Sequence, residues 1–209
     1  MTRPSDARLL VLHGVRLKSF APVEVVAAVA DLPVDDVGKH LDDLQTHGLV
    51  TYREGRLTGW ALTAAGRAEQ ERLLAAELEA FGCRSVVEDA YARFLELNPE
   101  LLTVCTAWQM KDDATLNAHD DEDYDRGVVG QLSELHGRVE PVLGDLQEEL
   151  DRYHGYRPRL RNALERLRRG ESEWFAKPMI DSYHTVWFQL HEDLLNTLGI
   201  ERSKEAANA

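Results

Sequence analysis

The sequence is short of several features that would assign it to a specific class of protein. It contains two cysteines, Cys83 and Cys105, which are too few for a disulfide framework and are expected to be reduced. No apolar run approaches the roughly 20 residues that span a bilayer. The first residues also lack the apolar segment of a signal peptide. These absences favour a cytoplasmic globular protein.

Positive charge is scarce as well. The chain carries 24 Lys and Arg residues against 37 Asp and Glu residues, which gives a net charge of −13. Its first 80 residues contain nine basic and twelve acidic side chains, and the remainder is more acidic still. Because DNA backbones and anionic membranes both attract basic surfaces, this balance disfavours a membrane partner and is unusual for a DNA-binding domain.

The first 80 residues form a pattern of short amphipathic helices followed by a hairpin. We predict helices at about 5–18, 22–30 and 34–47, strands at 49–53 and 57–62, and a long helix from Thr63 to about 80. Apolar residues recur at helical spacing in the third helix, which predicts a buried face formed by Val34, Val37, Leu41 and Leu44. Gly48 is expected to end that helix in a left-handed conformation.

Three stretches of this region resemble winged helix-turn-helix regulators of the MarR type. The matching stretches are Val25 to Pro33, Leu44-x-x-x-Gly48-Leu49-Val50, and Leu62-Thr63-x-x-Gly66-Arg67. They are similar, in that order, to the second helix and turn, to the end of the recognition helix with the first wing strand, and to the junction with the following helix. The resemblance covers residues 8–80. It implies a winged helix with a two-stranded wing in a bacterial, dimeric transcriptional regulator that binds double-stranded DNA.

The outward positions of the third helix and the wing are the candidate DNA contacts. They are Asp35, Asp36, Lys39, His40, Asp43, Thr46, Arg53 and Arg56. An aspartate can accept a hydrogen bond from a cytosine amino group. Asp35 and Asp36 also sit at a helix N-terminus, where they offset the helix dipole without any DNA. Lys39, Arg53 and Arg56 are the expected phosphate contacts.

From residue 82 onward the pattern is helical throughout. We predict helices at about 83–97, 100–111, 123–153, 156–169 and 174–198. The expected interruptions are Asn98-Pro99, a polar loop at 112–123, and Lys177-Pro178. We therefore expect a mainly α protein with two domains. Residues 1–80 form the winged helix, and residues 81–209 form an all-helical domain for effector sensing or dimerisation.

The last predicted helix concentrates aromatic and histidine side chains on one face. These residues are His184, Trp187, Phe188 and His191, with Trp108 as a candidate neighbour. An apolar surface with a few polar groups is typical of a pocket for a small-molecule effector. The alternative is that the histidines are core residues bonded to backbone or to carboxylates.

The sequence contains no motif of a cofactor site or a catalytic site. It has no Gly-rich phosphate loop, no His-Glu-x-x-His and no nucleophile elbow. The acidic stretch from His119 to Asp123 lacks the glycine of a calcium loop. We expect no enzyme activity, no cofactor and no metal. Three functions stay open: a DNA-binding regulator controlled by a small ligand, a protein-interaction module that uses an acidic winged helix without DNA, and a metal- or small-molecule-binding helical domain with a structural N-terminal domain.

Overall fold

The structure is a computed structural model that describes residues 3–112 and 114–202. Its helices are α1 (Ala7–Lys18), α2 (Val23–Ala30), α3 (Val34–Thr46), α4 (Ala64–Phe81), α5 (Arg84–Gln109), α6 (Glu122–Glu149), α7 (Tyr156–Arg168) and α8 (Tyr183–Leu198). Its strands are β1 (Val50–Arg53) and β2 (Gly59–Leu62), which form one antiparallel sheet. The expected mainly α fold class is confirmed. Among the described residues, no helix combines the length and apolar character needed to cross a membrane.

The chain is organised as two compact units. Unit 1 comprises Met1–Arg84, Glu149–Arg152 and Glu192–Ala209, and unit 2 comprises Ser85–Glu148 and Tyr153–His191. Each unit is therefore assembled from segments that are distant in sequence. The predicted functional division into residues 1–80 and 81–209 stays a prediction.

Local sequence explains where the first three helices begin and end. The carboxylate of Asp6 caps α1 by accepting hydrogen bonds from the amides of Arg8 and Leu9, at 2.9 and 3.3 Å. Asp31 ends α2 in a left-handed conformation. Gly48 follows α3 with a φ of 70°, as expected. These ends allow three short helices to turn back on one another.

One hydrophobic core holds α1, α2, α3 and the start of β1 together. It contains Val11, Leu12, Val15, Ala21, Val26, Ala27, Val37, Leu41, Leu44 and Val50. The predicted buried face of α3 is confirmed at Val37, Leu41 and Leu44, each 0% exposed. The expectation for Val34 is wrong, since it is 42% exposed. It is the first residue of α3 and precedes the turn that packs against the core.

Both predicted strands are confirmed, although the second begins at Gly59 rather than at 57. Ala21 adds an isolated antiparallel bridge to β2 through two hydrogen bonds with Trp60, at 3.2 and 2.8 Å. Gly59 permits this close approach, because its φ is 141° and a Cβ there would lie 2.6 Å from the carbonyl carbon of Phe20. The segment after α1 is thereby joined to the hairpin.

The start of α4 confirms the predicted helix at Thr63. The Thr63 hydroxyl accepts a hydrogen bond from the amide of Gly66 at 3.0 Å and donates to the carbonyl of Gly48 at 2.7 Å. A Cβ at Gly66 would lie only 1.8 Å from the carbonyl oxygen of Leu49. Glycine is therefore required where α4 passes the segment before β1.

Two expectations about unit 2 are wrong, and both involve proline. The predicted break at Asn98-Pro99 is absent, because α5 continues through Pro99. Proline removes one helical hydrogen bond, but the buried face continues across it from Leu97 to Leu101. At the other site α8 begins only at Tyr183, and a short 3₁₀ turn at Ser172–Trp174 replaces the start of the predicted helix.

Unit 1 contains a buried cluster of charged side chains centred on Arg152. Its guanidinium donates to Asp193 at 2.6 Å and to Thr197 at 2.9 Å, and its Nε lies 3.3 Å from Glu77. The side chains of Arg152, Asp193 and Glu77 are 4%, 3% and 6% exposed. Within unit 1 this cluster joins residues 149–152 and the end of α8 to α4.

A histidine extends the same cluster to α1. The Nε2 of His13 lies 2.9 Å from a carboxylate oxygen of Asp193, and its Nδ1 lies 2.9 Å from the side-chain amide of Gln70. Both His13 and Gln70 are buried. His13 therefore links α1 to the end of α8 through Asp193 and to α4 through Gln70.

Candidate nucleic-acid interface

The predicted DNA contacts on α3 lie together on the face opposite its buried residues. Asp35, Asp36, Lys39, Asp43 and Thr46 are exposed, and His40 is half-buried. Positions on one side of a helix recur every three to four residues, which is the spacing of this set. The structure thus presents these six side chains as one surface, which we call the α3 face.

Lys39 is paired within the α3 face. Its Nζ lies 2.7 Å from the carboxylate of Asp36, one helical turn earlier. The hydrogen bond between them raises the pKa of Lys39 and lowers that of Asp36. To contact a DNA phosphate, Lys39 must therefore exchange this carboxylate for the phosphate.

Asp43 is also matched by a positive charge. Its carboxylate lies 2.7 Å from the guanidinium of Arg8, which comes from α1. The Nδ1 of His47 lies 3.4 Å from the same carboxylate and 2.8 Å from the backbone carbonyl of Asp43. Thr46 donates its hydroxyl proton to the carbonyl of Asp42 at 2.9 Å. The negative charge of this end of α3 is consequently reduced by α1.

The two wing arginines have different surroundings. Arg56 lies in the exposed loop between β1 and β2 and forms no hydrogen bond or ion pair within the described part of the chain. Arg53, at the end of β1, places its guanidinium 5.7 Å from the ring centre of Phe20 and lines a cavity of unit 1. Both arginines are exposed, and Arg56 is the one that lies at the hairpin tip.

In unit 2 the structure brings two of the five predicted ligand residues together. Trp187 and His191 both pack on Phe94, with ring centres 4.7 and 5.3 Å apart, and both are buried. The indole Nε1 of Trp187 donates to the side-chain oxygen of Asn98 at 3.1 Å. Phe188 is 47% exposed and so does not share their buried face.

The other predicted ligand residues belong to a second aromatic group around Phe175. Trp108 stacks on Phe175 at 4.5 Å with an interplanar angle of 5°, and the ring of His119 lies 4.5 Å from Trp108. The backbone amide of His184 donates to the carbonyl of Phe175 at 2.9 Å. Burial lowers the pKa of His184. These contacts are those of a packed interior, and a ligand-binding role for the five residues stays a prediction.

A polar group around Glu140 in unit 2 is absent from the sequence-based candidates. The Nε2 of His136 lies 3.3 Å from Glu140, its Nδ1 lies 3.3 Å from the hydroxyl of Tyr183, and Arg157 donates to Glu140 at 2.6 Å. Burial lowers the pKa of His136 and raises that of Tyr183. Burial also opposes ionisation of Glu140, yet the bond from Arg157 leaves the pKa of that carboxyl below its usual value. The i, i+4 spacing of His136 and Glu140 is a local signal, but Tyr183 and Arg157 come from other segments.

The acidic loop before α6 is bonded internally. Asp125 accepts hydrogen bonds from the side chain of Asn117 at 2.7 Å and lies 2.9 Å from the Nδ1 of His119, while Lys111 lies 2.9 Å from Asp120. Across residues 3–112 and 114–202, no group of three His, Cys, Asp or Glu side chains is arranged to hold a metal ion. The polar loop predicted at 112–123 is confirmed over 114–121, since α5 ends at Gln109 and α6 begins at Glu122, while Asp113 lies outside the described residues.

Comparisons with protein-family models, with curated proteins and with solved structures find no match to this chain.

Proposed function

We propose that the chain is a transcriptional regulator that binds double-stranded DNA through α3 and the β1–β2 hairpin, used as a winged helix-turn-helix. The observation that carries the proposal is the order α1-α2-α3-β1-β2-α4 around one core, with α3 buried along a single face. In helix-turn-helix proteins the outward face of the recognition helix enters the major groove. The isolated bridge between Ala21 and Trp60 supports this assignment, because it attaches the segment after α1 to the hairpin.

The charge of the α3 face determines what kind of DNA binding is expected. Asp36 is neutralised by Lys39 and Asp43 by Arg8, and Asp35 lies in the first turn of α3, where the helix dipole favours a negative charge. Few cations are available for phosphates, so non-specific affinity should be weak. The salt dependence should be shallow, since each phosphate contact adds about 0.9 to the logarithmic slope.

A regulator of this design acts as a homodimer in the cytoplasm. Two copies would place their α3 helices in successive major grooves about 34–36 Å apart, so the operator is a palindrome with half-sites one turn apart. The helical part of the chain would hold the two copies together and change their separation when a small effector binds. Both the dimer and the effector are part of the proposed function.

Selection from a pool of random duplexes, followed by fluorescence anisotropy at several salt concentrations, tests the proposal. Arg56→Ala should weaken binding to every sequence and reduce the salt slope by about one, because it removes one phosphate contact. Arg126→Ala is the matched control, since Arg126 is an exposed α6 arginine paired with Asp123 in unit 2. If the wild-type chain retains no duplex at low salt, DNA binding is excluded.

One observation favours a second function, a protein-interaction module. The α3 helix carries four aspartates, Asp35, Asp36, Asp42 and Asp43, and such a surface suits a basic protein partner better than a polyanion.

The double variant Asp35→Asn with Asp36→Asn separates the two functions. Tighter binding to all duplexes means that these carboxylates only repel DNA. Weaker binding to the selected site alone, by roughly 1–3 kcal/mol, means that one of these carboxylates contacts a cytosine. No duplex binding by either form favours the protein partner.

A further inference from the structure

A cavity of about 330 Å³ that is open to solvent lies within unit 1, and no residue of the α3 face lines it. Its walls come from the end of α1, the base of the hairpin, the first turn of α4 and Glu192. Three arginines, Arg16, Arg53 and Arg67, line it together. Such a convergence of guanidinium groups is unusual in a chain whose net charge is −13.

None of these three arginines is paired with a carboxylate in the described ranges. The Nε of Arg16 donates to the neutral side chain of Asn196 at 2.9 Å, which orients its guanidinium. Arg53 contacts only the ring of Phe20, and Arg67 has no hydrogen bond or ion pair through its side chain. Arginines elsewhere in unit 1, such as Arg8 and Arg72, do pair with carboxylates. Acidic residues are abundant in this chain, yet the one in this wall, Glu192, is paired with none of the three arginines in the described ranges. The cavity is therefore a place for an external anion.

The acidic residue in the wall does not balance the three arginines. Glu192 lies 2.7 Å from the guanidinium of Arg202, which offsets its charge. Three like charges around one small volume repel one another, and water screens the half-buried Arg16 less than the exposed Arg53 and Arg67. An anion with two negative charges would remove most of this repulsion.

The backbone of one wall is strained. Ser19 and Phe20 have φ values of 46° and 47°, a region that residues other than glycine rarely adopt. The bridge between Ala21 and Trp60 holds the segment in this conformation. Strain of this kind is retained where it positions a functional group. Here it places the Phe20 ring in the cavity wall beside Arg53.

We propose that this cavity binds a small phosphate monoester whose organic part is apolar or aromatic. The phosphate carries about two negative charges and three acceptor oxygens, and arginine forks match phosphate oxygens in bidentate geometry. Most of the accessible wall is polar, and the partly exposed Phe20 and Leu62 supply its apolar part for the organic group. A volume near 330 Å³ is at the lower end for ligand pockets. The proposal does not depend on DNA binding, and it assigns Arg53 to the cavity rather than to a DNA phosphate.

Isothermal titration of the full chain with phenyl phosphate, inorganic phosphate and phenol tests the site. Phenyl phosphate should bind more tightly than inorganic phosphate, and phenol should not bind. Arg16→Gln and Arg67→Gln should each weaken phenyl phosphate binding about tenfold, because each removes a charge-assisted contact. Arg67→Lys should give an intermediate loss, since it keeps the charge without the fork. Arg72→Gln, an exposed change five residues further along α4, should have no effect.

Three outcomes would overturn the proposal. The first is that neither phosphate binds the wild-type chain at millimolar concentration. The second is that Arg16→Gln and Arg67→Gln, with unchanged circular dichroism, bind phenyl phosphate as the wild type does. The third is that free phosphates do not bind while both variants lose affinity for duplexes, which would make these arginines DNA-backbone contacts.

Discussion

Replacing Arg152 by methionine tests the buried charge cluster of unit 1. Methionine keeps much of the aliphatic volume but removes the guanidinium that contacts Glu77, Asp193 and Thr197. Both carboxylates stay almost fully inside the protein, where water cannot replace the lost partner. Asp193 keeps its contact with His13 at 2.9 Å, whereas Glu77 loses its ion-pair partner. A buried charge without a partner is far more costly than an exposed one.

The magnitude follows from this burial. Breaking a buried ion pair by removing one partner costs about 3–5 kcal/mol. For a chain of about 200 residues each kcal/mol lowers the melting temperature by about 2–4 °C, so Arg152→Met should lower it by about 6–20 °C. Arg126→Met is the control, and it should leave the midpoint nearly unchanged because its ion pair with Asp123 is exposed.

Urea unfolding followed by far-UV circular dichroism measures the loss, and hydrogen exchange locates it. Amides of α1 and α4 should exchange faster in Arg152→Met, because both helices contribute to the cluster. The double variant with Asp193→Asn should lose less than the sum of the single losses, since the two side chains are in direct contact. A loss below about 1 kcal/mol, the level of exposed pairs, would refute the reasoning.

Three further predictions concern single sites. Gly66→Ala should lower the free energy of unfolding in urea by about 3 kcal/mol or more, because its methyl group would overlap the backbone before β1. Gly137→Ala, in open space on α6, should raise it by about 0.5–1 kcal/mol. His191→Ala should cost about 2–4 kcal/mol through a cavity beside buried rings, whereas exposed Phe188→Ala should cost less than about 1 kcal/mol; equal losses would contradict this packing. Burial lowers the pKa of His184 from its ordinary 6.5, so its contribution to stability is present above pH 6.5 and is lost as the pH falls through the folded-state pKa. On acidification the urea midpoint should fall less in His184→Gln than in the wild type. An equal fall in both would show that His184 does not cause the loss of stability.

Much of unit 1 could be predicted from sequence because its signals are local. The buried face of α3 follows from apolar spacing, and the ends of α3 and α4 follow from Gly48 and Thr63. Each of these signals acts within about one helical turn of the residue that carries it. The order of three helices and a hairpin could therefore be predicted from the chain alone.

The prolines of unit 2 show where local signals fail. Pro99 and Pro178 have the same local chemistry, yet α5 continues through the first and α8 begins only after the second. A proline inside a helix costs about 3 kcal/mol, and the outcome depends on how much apolar surface the continuing helix buries. Burial of this kind depends on partners distant in sequence, which helical spacing does not reveal.

The sequence by itself determined the helical class, the hairpin and the acidic outer face of α3, because each depends on neighbours a few residues apart. Only the tertiary structure decided which charges meet. It pairs Arg152 with Asp193 and Glu77 in the interior, and it gathers Arg16, Arg53 and Arg67 around a cavity without a carboxylate partner. Among the side chains that meet in this way, only Arg53 and Arg67 lie near one another in the sequence, and a charged residue carries no local sign of its distant partner. The packing of the whole unit determines which charged side chains form ion pairs and which arginines line the cavity.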